Sequence, residues 1–258
     1  MFGRSYSAGL LVFVLLFVGQ TVFAQKQGTY VQPAKLKVDN VENPGERDEE
    51  GNVSPLTEAF YPIGFSKSGK FAYYVEPADE ACGCYFAKLV IQDLRTDEIL
   101  WEHNYEEEPI EGENGVTVSN ETIEKHWKDN LEMFSKKLAE HGIVQANEFS
   151  LGKSINYKDE MFEAKLDLNI KEFDVYSADG SVELWVISTR KGKKSVYRKI
   201  YDPKEFTGFR GAELAGMLKS PFGSDVAVVM VETYRGYEGP PHITKIRIVG
   251  SDLTSRFQ

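Results

Sequence analysis

The chain has 258 residues, of which 41% are hydrophobic, 12% aromatic and 27% charged, a balance that excludes disordered, collagen-like and multi-span membrane classes. That length can bury a core without covalent help. The formal net charge of -10 would repel a polyanion and argues against nucleic acid or an anionic membrane surface as a partner.

Arg4 is the sole charge before Lys26, and residues 10–18 form an unbroken apolar run. Such a run is too short for a hydrocarbon core, which needs about 20 helical residues, but it suits a signal peptide. Val22 and Ala24 stand three and one positions before Gln25, so cleavage after Ala24 is predicted, with an uncleaved interfacial anchor as the alternative. No Cys follows for lipid attachment. The expectation is a secreted or periplasmic chain with no stable membrane insertion once residues 1–24 are removed. The sequons at Asn52 and Asn120 would matter only in a eukaryotic secretory route.

Residues 25–57 read as a polar, mobile N-terminal arm with one edge strand at 34–38, followed by a single mainly-β domain over 58–258. Aromatic and β-branched runs predict strands at 71–75, 86–91 and 99–104. A helix is predicted over 120–141, capped by Ser119 or Asn120 and ended by Gly142, with Ile123, Trp127, Leu131, Phe134 and Leu138 on one stripe. Glu121, Glu124 and Glu132 precede Lys125, Lys128 and Lys136 by four residues, the favourable order for pairs. Residues 162–175 alternate Ala164, Leu166, Leu168 and Ile170 with polar residues, predicting a strand with one buried face. A turn at 177–180 leads to strands at 182–189 and 196–201, joined by the cationic loop 190–194. A short helical turn is predicted at 212–218. The fold class is therefore mainly β, an antiparallel meander of propeller-like or sandwich-like sheets with one amphipathic helix.

Two segments read alike. Gly64-Phe65-Ser66-Lys67-Ser68-Gly69-Lys70 followed by an apolar strand is matched by Ser220-Pro221-Phe222-Gly223-Ser224-Asp225 and its own strand. A second strand follows in each, defining repeat units 64–94 and 218–253. Ser and Gly close the turn, with Gly in the left-handed conformation. Phe65, Ser66, Gly69 and Lys70, like Ser220, Pro221 and Gly223, resemble the strand-turn-strand element of Tol-Pal type β-propeller blades. The whole arrangement, with Tyr237-Glu238-Gly239-Pro240 in its last unit, is similar to a family of predicted secreted bacterial proteins of unknown function. The resemblance implies a fold and no activity.

Cys82-Gly83-Cys84 is the sharpest local feature. In an oxidising compartment the two thiols are expected to pair, in a strained and reducible ring. Free thiols, thiol-disulfide exchange and metal binding are the alternatives, although no helix follows to activate a thiolate and two thiolates make only half of a zinc site. The four histidines are dispersed and do not complete it, so no metal and no cofactor is assigned. The acidic stretch 106–115 lacks EF-hand spacing and reads as a solvated loop. No nucleophile elbow, zincin helix or phosphate-binding loop occurs, so no catalytic residue is named. Tyr234, Arg235 and Tyr237 form a candidate binding loop, since Tyr and Arg dominate recognition surfaces, while the Gly and Pro residues up to Pro241 are expected to make it irregular. The alternative is that both tyrosines cover the core edge. Because the Cys82 and Tyr234 loops occupy equivalent places in the two units, both are expected at one end of the fold. The functional expectation is a non-enzymatic binding or scaffold protein for an unknown protein or small molecule, with a thiol-redox protein and a hydrolase of unreadable site as alternatives.

Overall fold

A computed structural model of the chain describes residues 30–47, 51–80, 83–107, 119–172 and 176–258. The leader expectation lies outside them. Among the described residues the chain is mainly β, with 55% strand, 8% helix and three antiparallel sheets. The first sheet contains β1 (Ala59–Ser66), β2 (Lys70–Glu76), β3 (Tyr85–Asp93), β4 (Ile99–Glu107) and the short β5 (Ile143–Gln145), in the order β4-β3-β2-β1-β5. An outer sheet runs in sequence order through β6 (Ser154–Tyr157), β7 (Glu160–Glu172), β8 (Ala178–Ser188) and β9 (Gly192–Tyr201). The last three strands, β10 (Phe209–Lys219), β11 (Asp225–Gly236) and β12 (Gly239–Asp252), form the central sheet.

Side-chain alternation decides the stacking. Along β11, Ala227 and Val229 join Phe60, Phe71, Tyr73 and Val90 of the first sheet, whereas Val226, Val228 and Met230 join Phe162, Leu184 and Val186 of the outer sheet. The central sheet is thus buried on both faces, which is why β11 reads as a nearly continuous apolar run. The first sheet is also covered twice, since Tyr61, Ile63, Tyr74 and Leu89 face the helices. Layers follow one another as helices, first sheet, central sheet and outer sheet.

The predicted helix is two helices, α1 (Ile123–Asp129) and α2 (Leu131–Glu140), separated by Asn130. Asn130 Nδ2 donates to His126 O at 2.9 Å, the local competition for backbone groups that disfavours Asn inside helices. The cap is Thr122, whose side chain accepts from Lys125 N, while Ser119 Oγ instead accepts from Glu121 N. Ile123, Trp127, Phe134 and Leu138 are buried against the first sheet, as the stripe requires. Of the three expected pairs, Glu121 with Lys125 forms, and Lys125 also reaches Asp129.

Segment 212–218 is the middle of β10, not a helical turn. Its register slips twice against β11, at Phe209/Gly211 and at Leu214/Gly216, and those irregularities hide the period-2 signal. The 177–180 turn is likewise displaced, because Ala178, Asp179 and Gly180 already pair with β7. The arm is docked wherever it is described. Tyr30 donates to Ile143 O at 2.6 Å, and Leu36 bridges Phe60 and packs with Val38 on the core between the first and central sheets.

The arm also closes an edge. β12 lies at the margin of the central sheet and would offer unpaired backbone groups to another chain. Leu56 takes the first of them, donating to His242 O and accepting from Thr244 N. Glu58 accepts from Ile246 N, Gln92 Nε2 donates to Ile248 O at 3.2 Å, and Asp97 accepts from Gly250 N at 2.6 Å. Lys194 Nζ then donates to Asp252 O. One outward backbone group of every second residue of β12 from 242 to 252 is taken up in this way.

Candidate binding site

Segments 64–94 and 218–253 place their turns side by side. Arg95, just after β3, holds Asp225 at the start of β11 through two bonds of 2.9 and 3.0 Å, a bidentate geometry. Gly69 has φ +84, as expected for the left-handed position, and faces the Asp225 carboxylate; Gly223 does not share that conformation. In both turns a serine hydroxyl accepts backbone N–H groups: Ser66 from Ser68 and Lys70, Ser220 from Phe222.

The connections at the opposite end also meet. Tyr237 N donates to Glu80 Oε1 at 2.8 Å, which joins the β11–β12 hairpin to the connection that carries the cysteines. Cys82 lies outside the described residues, so its pairing with Cys84 belongs to the proposals below. Two outer-sheet connections reach the same place: Gly208 N donates to Tyr176 O at 2.8 Å, and Arg235 N donates to Gly208 O at 2.7 Å. Four connections distant in sequence thus converge.

The Tyr234 to Pro241 segment is not an irregular loop. Tyr234 and Arg235 belong to β11, Pro240 and Pro241 to β12, and only Tyr237 and Glu238 form the turn between Gly236 and Gly239. Proline is tolerated there because these are the first residues of an edge strand. Tyr234 is half-buried, packs edge-on to Phe209 at 5.7 Å and donates its hydroxyl to Glu232 Oε2 at 2.9 Å. Burial and that carboxylate raise its phenol well above the usual value. Tyr234 covers the core. Tyr237 is 85% exposed and presents its ring to solvent.

Arg235 lies between these roles. Its guanidinium stands 4.9 Å over the Tyr176 ring, while its Nε is buried with no hydrogen-bond partner among the described residues. Phe206 is 82% exposed and meets Tyr176 edge-on at 6.3 Å. Tyr176 and Phe206 were not singled out from the sequence. A signal for Phe206 existed, since a large apolar residue in the turn-forming run Asp202-Pro203-Lys204-Glu205 has no strand or helix to bury it.

Beneath the cysteine connection lies a buried polar chain. Tyr61 and Tyr85 both donate to Glu76, Tyr85 at 2.8 Å. Having one proton, Tyr85 must accept from Tyr74 at 2.9 Å, and Tyr74 must accept from His126 Nδ1 at 2.7 Å. Burial depresses His126 to about 4, so its ring is neutral and Nε2 is the bare nitrogen. The ring also lies 4.4 Å from Tyr105 and is 1% exposed. This network ties the helices to β2 and β3. His103 on β4 stacks on His126 with ring centroids 5.8 Å apart, whereas His141 caps α2 and His242 is on β12, so the structure brings two of the four histidines together.

No known protein family, no curated protein and no solved structure matches the chain.

Proposed function

We propose that the chain is a secreted or periplasmic binding or scaffold protein, without catalysis of its own, that engages a partner through the end where Tyr176, Phe206, Arg235 and Tyr237 converge. The observation that carries this reading is the exposed pair Tyr176 and Phe206, 51 and 82% exposed and 6.3 Å apart, with the Arg235 guanidinium over the Tyr176 ring and Tyr237, 85% exposed, in the turn of the same hairpin. Exposed aromatics cost solvation and are concentrated where proteins recognise partners. Connections held by a rigid stack of sheets are suited to that task. The test is site-specific photo-crosslinking from Tyr237 in the producing organism, with Ile99 on the first sheet as the control position. A partner cross-linked from 237 and not from 99 is expected. Tyr237→Ala with Phe206→Ala should weaken its binding at least about fivefold, equivalent to about 1 kcal/mol, with no loss of thermal stability. Equal capture from both positions, or binding unchanged in the double variant, would remove the proposal.

The compartment has its own check. Intact mass of the secreted product should start at Gln25, and non-reducing peptide mapping should recover Cys82 and Cys84 in one oxidised peptide. Retention of residues 1–24 or two free thiols would count against an oxidising, extracytoplasmic location, and a covalent dimer would remove the pairing of Cys82 with Cys84.

A further inference from the structure

A cleft of about 520 Å³ opens between the first and central sheets, beside the converging connections but separate from the aromatic tip. Its apolar walls are Pro77, Ala78, Phe86 and Ile243, and its polar groups include Glu58 and Glu106. Clefts of this size, mostly apolar with a few converging polar groups, are the usual form of small-molecule sites. Two lysines line it as well, and both act electrostatically on Glu58. Lys88 Nζ pairs with Glu102 at 3.0 Å, and Lys245 Nζ sits 5.2 Å over the Tyr234 ring, on the β12 face that packs towards the outer sheet. Glu58, Glu102 and Glu106 outnumber the two lysines, so the charge offered to a ligand is net negative.

Glu58 is the most informative of the three. It is half-buried, and one oxygen accepts from Ile246 N as a cap on the β12 edge. Capping needs only a hydrogen-bond acceptor, which a neutral amide would provide at less desolvation cost than an ionised group. A carboxylate in the wall of an apolar cleft is therefore more than the edge requires. We propose that this cleft binds a small primary amine with an apolar body, the ammonium group paired with Glu58 and the body against Phe86, Ala78 and Ile243. The proposal goes beyond the aromatic tip and does not rest on it.

Burial raises Glu58 to about 7, partly offset by the Ile246 N–H and by Lys245 and Lys88. Tyr73 on β2, Glu102, Tyr105 and Glu106 on β4, and Arg247 on β12 are the other titratable groups around the cleft. An ammonium ligand selects the carboxylate form. Above pH 7 that form is already present, and below pH 7 the ligand must displace a proton, so affinity should fall as pH is lowered. From pH 8 to pH 6 the loss should be about tenfold, because one unit below the midpoint leaves about a tenth of the sites ionised.

The experiment titrates the folded mature protein with phenethylamine and hexylamine by saturation-transfer NMR and calorimetry, against phenylethanol and hexanol as neutral isosteres. Amines are expected to bind at least tenfold tighter than the alcohols at pH 8 and to lose that preference at pH 6. Glu58→Gln, which keeps the cap on Ile246 N, should abolish the preference. Ala78→Leu fills the cleft without touching the carboxylate and should block both amines. Equal binding of amines and alcohols, a flat pH profile, or amine binding that persists in Ala78→Leu would overturn the proposal. The wild-type pH profile and Ala78→Leu decide the matter even if Glu58→Gln fails to fold.

Discussion

Phe134→Ala is expected to destabilise the protein by about 3 to 5 kcal/mol, the range for emptying a large buried aromatic site. Phe134 is fully buried at the first turn of α2, with its ring 5.3 Å from Trp127, 5.6 Å from His126 and 5.5 Å from His103. It joins the interior of both helices to β4. The helices have 7 and 10 residues and are broken at Asn130, so neither is long enough to persist without that packing. Urea unfolding followed by far-UV and near-UV circular dichroism measures the effect. Glu132→Ala, two residues earlier on the exposed face, should stay within about 0.5 kcal/mol of the parent. A loss below about 1 kcal/mol for Phe134→Ala would show that the helices are an appendage and not the outer layer of the core.

The second large effect is at Gly250. A Cβ there would lie 2.1 Å from Leu94 O and 2.4 Å from Leu94 Cα, both backbone atoms that cannot swing aside. This is where the end of the first sheet is pressed against β12, next to the Asp97 bond to Gly250 N. Gly250→Ala should therefore cost about 3 kcal/mol or more, since relief requires the two sheets to separate locally. Gly223, in the turn that reads like the one holding Gly69, has no atom within 4 Å of the added Cβ and no positive φ. Gly223→Ala should be neutral within about 0.5 kcal/mol. Thermal melts of the two variants side by side test the contrast, and equal stabilities would mean that the contact between Leu94 and β12 is not maintained in solution.

How the site was reached shows what kinds of signal a chain carries. Tyr237 was named from the sequence as a recognition-type residue, and its exposure in a two-residue turn comes from the structure. Tyr234, three residues earlier, carries the same side chain and the same sequence prior, yet its place on β11 turns it towards Phe209 and Glu232. Tyr176 and Phe206 enter only because the β7–β8 and β9–β10 connections end beside the β11–β12 hairpin. Glu58, the first residue of the predicted domain, carried no signal of its own, and only the exposed edge of β12 gives it a position.

By itself the sequence determined what depends on local period and local turn chemistry. These are the mainly-β class, most strand positions, the apolar stripe from Ile123 to Leu138, and the left-handed Gly69 in its serine-closed turn. Tertiary structure alone decided β10 in place of a helical turn, the docking of the arm and the convergence of four connections at one end, whereas the break at Asn130 is local chemistry that the apolar stripe masked. The physical reason is the same in each case. Alternation and turn residues act over two to four positions and survive in any context, whereas sheet edges, bulges and cleft walls exist only after strands far apart in sequence have packed and exposed the backbone groups that need covering.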